Sequence, residues 1–168
     1  MPVDIADTLN AQNVALLALA KKGISRPPVV STRFLADYGL TYTSMIFSPE
    51  HAKNVAGLID IKNNSIVVNA NDSPQQQNYT IAHELGHFLL KHNELPDFEI
   101  QYCVFMHNAS AIEQNAMEQE ANFFADNLLV PLHFLNFYLD HYPSLSDYQL
   151  AGVFGVPVEL IKRRRLLI

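Results

Sequence analysis

The segment His83-Glu84-Leu85-Gly86-His87 sets two imidazoles four residues apart, with a glutamate directly after the first. On a helix that spacing puts His83 and His87 on one face, where both can offer a nitrogen to a single zinc ion, and Glu84 can reach a water beside it. The flanking residues argue for the helix. At about 100° per residue, Leu85 and Phe88 fall close to Ile81 while the two histidines fall on the opposite side. A chain built around this segment needs a core against one face and a further ligand against the other. Gly86 costs the helix about 1 kcal/mol relative to alanine, which predicts either close approach of another backbone or tight packing of the helix.

The rest of the sequence is read for what surrounds that helix. With 168 residues and 49% hydrophobic content the chain can bury one well-formed domain. Asp4 to Lys22 reads as a first helix, with Ile5, Leu9, Leu16, Leu17 and Leu19 as apolar positions and Gly23 as the stop. Pro27-Pro28 forces an extended segment, and Ser31 or Thr32 caps a short helix that ends at Gly39. Leu40 to Phe47, Val55 to Ile61 and Ser65 to Asn69 read as strands, the last two joined by the tight turn Lys62-Asn63-Asn64. Ser73 and Pro74 then open the histidine helix as cap and first turn. A sheet edge beside such a helix can hold an extended peptide across a metal.

A catalytic zinc takes three protein ligands and keeps one position open. The next helical stretch, Ala111 to Val130, ends at Pro131 and holds Glu113, Glu118 and Glu120. Glu118 and Glu120 stand about 160° apart around the axis, so they are not expected to face one metal together. Glu120 lies among Ala116, Met117 and Phe124, and a carboxylate on an apolar face needs a compensating partner; it is the favoured third ligand, with Glu113 the runner-up. Asn122 and Asp126 are candidates to support the ligands. His92 and His107 fall at the wrong spacing for an all-histidine site, and His107 or Tyr102 is a candidate donor to a developing oxyanion.

Other residues carry structural expectations. His51 reads as a surface residue in a loop, and His133 and His141, among Phe134, Phe137, Tyr138 and Tyr142, as packing residues. Cys103, the one cysteine, reads as a small buried hydrophobe and cannot form an internal disulfide. The absence of a signal-like or membrane-spanning apolar run places the expected setting in the cytoplasm. Eleven Lys and Arg against seventeen Asp and Glu give a net charge of −6, which disfavours non-specific attraction to nucleic acid or anionic membrane. Leu145 to Ala151 and Val156 to Leu166 resemble a helix-turn-helix pair ending in Lys162-Arg163-Arg164-Arg165, but the acidic chain and short second helix make direct DNA binding the weaker expectation.

Two longer signatures narrow the reading. His83 to His87 preceded by Tyr79-Thr80-Ile81-Ala82, together with Glu118-Gln119-Glu120-Ala121-Asn122-Phe123-Phe124-Ala125-Asp126-Asn127-Leu128-Leu129-Val130-Pro131, resembles the ImmA/IrrE family of metallopeptidases. Leu150-Ala151, Phe154-Gly155-Val156-Pro157 and Arg163 to Leu167 are similar to that family's closing helical segment. The resemblance implies an α+β, gluzincin-like core with a small antiparallel sheet on the motif helix, in residues 1–130, followed by a C-terminal helical segment in residues 131–168. It implies zinc held by His83, His87 and Glu120, with Glu84 as general base; the same donors would hold manganese or iron more weakly. It also implies a protein substrate, a helix-turn-helix repressor of a phage, mobile element or stress regulon. Two departures touch the periphery: Gln75-Gln76-Gln77-Asn78 stands where members often carry a basic residue, and Lys91 where they often carry a histidine. The competing readings are a non-hydrolytic antirepressor and a DNA-binding regulator with a structural metal. An intact Glu84 and three ligands favour the hydrolase, because structural zinc is commonly four-coordinate and closed.

Overall fold

A computed structural model describes residues 6–48, 50, 54–94, 105–106 and 116–168. His51, Tyr102, Cys103, His107 and Glu113 lie outside the described residues, and so do the expectations attached to them.

The first helix, α1, spans Thr8–Lys21, capped by the Asp7 side chain, which accepts from the Asn10 N–H. Its buried face differs from the expected leucine stripe. Leu9 and Leu17 are exposed, whereas Ala11, Ala15 and Ala18 are buried with Leu19. Small residues at this spacing let α1 lie close on a neighbouring helix, and that neighbour is α4 (Ala116–Leu129). A short helix, α2 (Thr32–Leu35), runs into a single 3-10 turn, and Gly39 ends it with the positive φ of 68° that a left-handed cap requires.

Among the described residues, four strands form one sheet in the order β1 (Thr41–Met45), β3 (Ser65–Asn69), β2 (Val55–Asp60), β4 (Phe105–Met106). β2 and β3 are the expected antiparallel hairpin, and Asp60 closes its turn by accepting from the Asn63 backbone and side chain. The sheet is mixed, however, rather than wholly antiparallel. β1 precedes the hairpin and lies beside the returning arm, so it runs parallel to β3, with Thr41 opposite Ser65. All five residues of β1 are exposed, while β2 and β3 turn Val55, Ala56, Ile59, Ile66 and Val68 into the interior.

The histidine segment lies in α3 (Pro74–Leu89), with Ser73 accepting from the Gln76 N–H and Pro74 in the first turn. α3 is sandwiched between the sheet and α4. On the sheet side, a Cβ at Gly57 would come within 2.5 Å of the Thr80 methyl carbon, so the absence of a side chain there sets how close helix and sheet approach. Pro131 stops α4 and opens α5 (Leu132–His141), and α6 (Asp147–Phe154) and α7 (Val158–Arg165) close the chain, with Ser146 and Gln149 forming a reciprocal cap on α6. Leu128, Leu129, Leu135, Leu150, Phe154, Leu160 and Ile161 join these helices to one hydrophobic core.

A candidate metal centre between two helices

His83, Glu84 and His87 are fully buried in α3, and His83 and His87 meet α4. Gly86 makes that contact close. A Cβ on it would lie 2.9 Å from a Phe124 ring carbon, 3.2 Å from the Ala121 carbonyl oxygen and 3.3 Å from the Ala121 Cα. Both expectations for this glycine describe one fact, the backbone of α4 running against the turn that separates the two histidines.

Across that contact the imidazoles meet a carboxylate. His83 Nε2 and His87 Nε2 are 3.0 Å apart, and Glu118 sets Oε2 3.2 Å from the first and Oε1 3.2 Å from the second. Burial works to raise the Glu118 carboxyl, but hydrogen bonds from His83 and His87 and their charges outweigh it and hold the group below the usual carboxylate range. Burial likewise pushes the His87 imidazole down to about 4, so its ring is neutral at pH 7, the state in which it can act as a ligand. Glu84 lies beside this cluster with both carboxylate oxygens buried and without a hydrogen-bond partner among the described residues. Burial, with the Glu118 charge adding, pushes its carboxyl well above the usual range.

The donor set fits a metal ion on two counts. Nitrogen and oxygen ligands about 2.0 to 2.1 Å from a tetrahedral zinc stand about 3.3 Å from one another. The three donor atoms already sit close to that spacing, all within 4.8 Å of each other. The unpartnered oxygens of Glu84 point to a polar group or water completing the same site, since a buried carboxylate left alone is costly.

Glu120, the favoured third ligand from the sequence, is not in this cluster. Its Oε2 accepts from His92 Nε2 at 2.9 Å and its Oε1 from the Asp7 N–H at 2.6 Å. The apolar-face carboxylate does have compensating partners, but they are an imidazole and a backbone amide. Glu118, in the first turn of α4, swings to the histidine face instead. His92 stands at the wrong spacing for a direct ligand, and no local signal in the sequence marks it as a partner of Glu120 and His87.

The far nitrogens of both histidines are also held. His83 Nδ1 is 3.0 Å from Asn122 Oδ1, and His87 Nδ1 is 2.9 Å from His92 Nδ1. Asn122 Oδ1 also accepts from the Tyr79 hydroxyl at 3.2 Å, and Tyr79 lies 3.2 Å from Asp126 Oδ1. The network ends on α7. Arg163 grips Asp126 with Nε at 2.7 Å and Nη2 at 2.6 Å, and donates to the Tyr79 oxygen at 3.2 Å. Burial raises the Tyr79 hydroxyl well above its ordinary value, with the Asp126 charge adding.

The other C-terminal cations are also engaged within the chain. Arg164 is buried and donates to the Val130 carbonyl and to Asn127 Oδ1, each at 2.9 Å, satisfying the end of α4. Arg165 pairs with Asp147 and Lys162 with Glu159. His133 packs its ring against Phe134, and His141 stacks on Phe137 while its Nδ1 lies 2.8 Å from the Phe137 carbonyl, in keeping with structural roles.

The sequence profile of the IrrE N-terminal-like domain, a peptidase family, matches residues 43–165, a span that contains every residue of the metal cluster. The chain belongs to this family. It is 33% identical over 91 residues to Metallopeptidase ImmA of Bacillus subtilis (strain 168), an overlap of 54% of this chain and 50% of that protein. Its fold is also similar to that of a Mycobacterium tuberculosis transcriptional regulator, with a TM-score of 0.64 at 19% identity over 94% of this chain and 46% of the other. The chain therefore spans about half the length of each relative. Among the described residues, no helix is long and apolar enough to cross a membrane.

Proposed function

We propose that this IrrE-like chain is a zinc-dependent endopeptidase that cleaves a helix-turn-helix transcriptional repressor in the cytoplasm, with His83, His87 and Glu118 holding the metal and Glu84 as general base. The observation that carries this reading is the Glu118 carboxylate spanning both Nε2 atoms at 3.2 Å beside the unpartnered, buried oxygens of Glu84. Zinc held there would supply Lewis acidity, polarising the scissile carbonyl and acidifying the attacking water toward a pKa of about 7. Glu84 takes the proton from that water and delivers it to the leaving amine. Its buried setting suits the second half of that cycle, because burial favours the protonated carboxyl. The helix-turn-helix substrate class rests on the paired signatures in α3 and α4 and their resemblance to ImmA/IrrE peptidases.

The test is to incubate the zinc-loaded protein, and in parallel its Glu84→Gln variant, with a candidate helix-turn-helix repressor and to follow intact mass. One new cut that appears with the wild type and not with Glu84→Gln is the expected result. A stable, uncut complex with both proteins would replace the peptidase by a sequestering antirepressor.

A further inference from the structure

We propose that His92 and Glu120 form a relay that orients the His87 imidazole for a metal at its Nε2, making them positioning residues for the metal centre. The inference rests on the ligand set of the preceding section. It starts from a pair of nitrogens that share one hydrogen. His87 Nδ1 and His92 Nδ1 face each other at 2.9 Å, with ring centroids 5.0 Å apart and ring planes at 72°. Two neutral imidazoles can satisfy that contact in only two ways, and the two have opposite consequences for the other edge of His87.

If His87 carries its hydrogen on Nδ1 and donates, His92 Nδ1 accepts and His92 carries its hydrogen on Nε2. That nitrogen then donates to Glu120 Oε2 at 2.9 Å, and His87 Nε2 is left with the lone pair that a metal would take. In the reverse arrangement His92 Nε2 would turn a lone pair toward an oxygen that can only accept, and the hydrogen of His87 would sit on Nε2. That is the atom 3.2 Å from Glu118 and 3.0 Å from His83, where a metal must bind. In the metal-free chain Glu118 accepts from that same edge, so the two carboxylates compete for the histidine hydrogens; a metal at His87 Nε2 removes the competition, and the His92–Glu120 arm then accepts the hydrogen on Nδ1 and holds the ring in its ligating orientation.

The relay is built rather than incidental. His92 is buried, and the second oxygen of Glu120 is fixed by the Asp7 N–H at 2.6 Å, at the cap of α1. Carboxylates that orient ligating histidines in this way commonly contribute a factor of 10 to 100 in metal affinity. His83 has a different support, the neutral amide oxygen of Asn122, so the two ligands are held by unlike means.

The experiment measures zinc dissociation constants by chelator competition for the wild type, Glu120→Gln, His92→Leu, His92→Gln and the pair His92→Leu with Glu120→Gln, with thermal melting to verify the fold. Proton–nitrogen spectra of the zinc-loaded wild type and Glu120→Gln report how strongly the His87 Nδ1 hydrogen is held, through its rate of exchange with solvent. Expected are about 10- to 100-fold weaker binding for Glu120→Gln and His92→Leu, and recovery of most of the loss in His92→Gln, whose amide can accept from His87 and donate to Glu120. The paired variant should be no weaker than His92→Leu alone, and the His87 Nδ1 hydrogen should exchange faster in zinc-loaded Glu120→Gln than in the wild type. Unchanged affinity in Glu120→Gln, or a His87 Nδ1 hydrogen that exchanges equally fast in the two zinc-loaded proteins, overturns the relay; these two readouts decide the matter even if His92→Leu fails to fold. A wild type that takes up no zinc overturns the ligand set instead.

Discussion

Arg163 and Asp126 are joined at two points, Nε to Oδ2 at 2.7 Å and Nη2 to Oδ1 at 2.6 Å, so the last helix of the chain is bound to the helix that carries Glu118. Asp126 is nearly buried while Arg163 is half exposed. Removing the arginine strands a carboxylate, whereas the exposure of Arg163 lets water repair part of the loss. Arg163→Ala should therefore lower stability by about 1 to 3 kcal/mol in urea denaturation. Arg163→Lys should recover only part of it, because an ammonium lacks the planar fork that meets both oxygens. A loss of less than a few tenths of a kcal/mol in the alanine variant would contradict this account.

Tyr79 gives the same region a pH dependence. Its hydroxyl stays protonated in the folded chain well above the 10.0 of a free tyrosine, because burial disfavours the anion. The stability it contributes is complete below pH 10 and is lost as pH rises, since only the unfolded chain releases that proton. The slope is about 1.4 kcal/mol per pH unit above about 10. Tyr79→Phe lacks this dependence. Urea denaturation of both proteins from pH 8 to pH 11 should show a constant gap at the lower end that closes above pH 10, and a gap that stays constant throughout would argue against a buried, protonated Tyr79.

Gly86→Ala should damage the protein even though alanine is the better helix former. The added methyl would sit 3.2 Å from a backbone oxygen and 3.3 Å from a backbone carbon of Ala121, neither of which can rotate away. Overpacking of this kind costs about 1 to 3 kcal/mol, more than the about 1 kcal/mol gained in helix propensity. The separation of α3 and α4 must grow, so zinc affinity should fall with the melting temperature. A variant as stable as the wild type would mean that α4 yields more easily than its backbone contacts suggest.

The two neighbouring glutamates should separate by magnitude. Glu118→Gln removes a proposed ligand, and its loss of zinc affinity should exceed the about 100-fold ceiling expected for a supporting residue. Glu120→Gln should stay within that ceiling. Chelator competition on both variants settles the order, and equal losses would refute the assignment of Glu118.

Local signals in the sequence were enough for the elements that frame the site. Ser73 and Pro74 announced the start of α3, the Asn-rich turn announced the β2–β3 hairpin, and Gly39 ended its helix where expected. The choice between Glu118 and Glu120 was not legible, because it depends on where α3 crosses α4. An apolar surrounding marks a residue that needs a partner, but it does not say which partner arrives, and for Glu120 it is His92. The parallel pairing of β1 was hidden for a similar reason, since strand order depends on the path of the connection. In α1 the leucines carry the hydrophobic pattern while the alanines make the contact, because a close helix crossing is signalled by small size rather than hydrophobicity.

Glu118, Glu120, Asn122 and Asp126 all lie on α4, and each meets a different part of the centre. Their placement depends on one continuous rotation, in which every residue adds about 100° and about 1.5 Å. Inserting or deleting a single residue between Glu118 and Asp126 would turn everything beyond it by that angle and misalign several partners together. Point changes in α4 can be graded in effect, but its length between these positions acts as a fixed ruler. Natural relatives that keep this chemistry should vary the residues of this interval while holding its spacing constant.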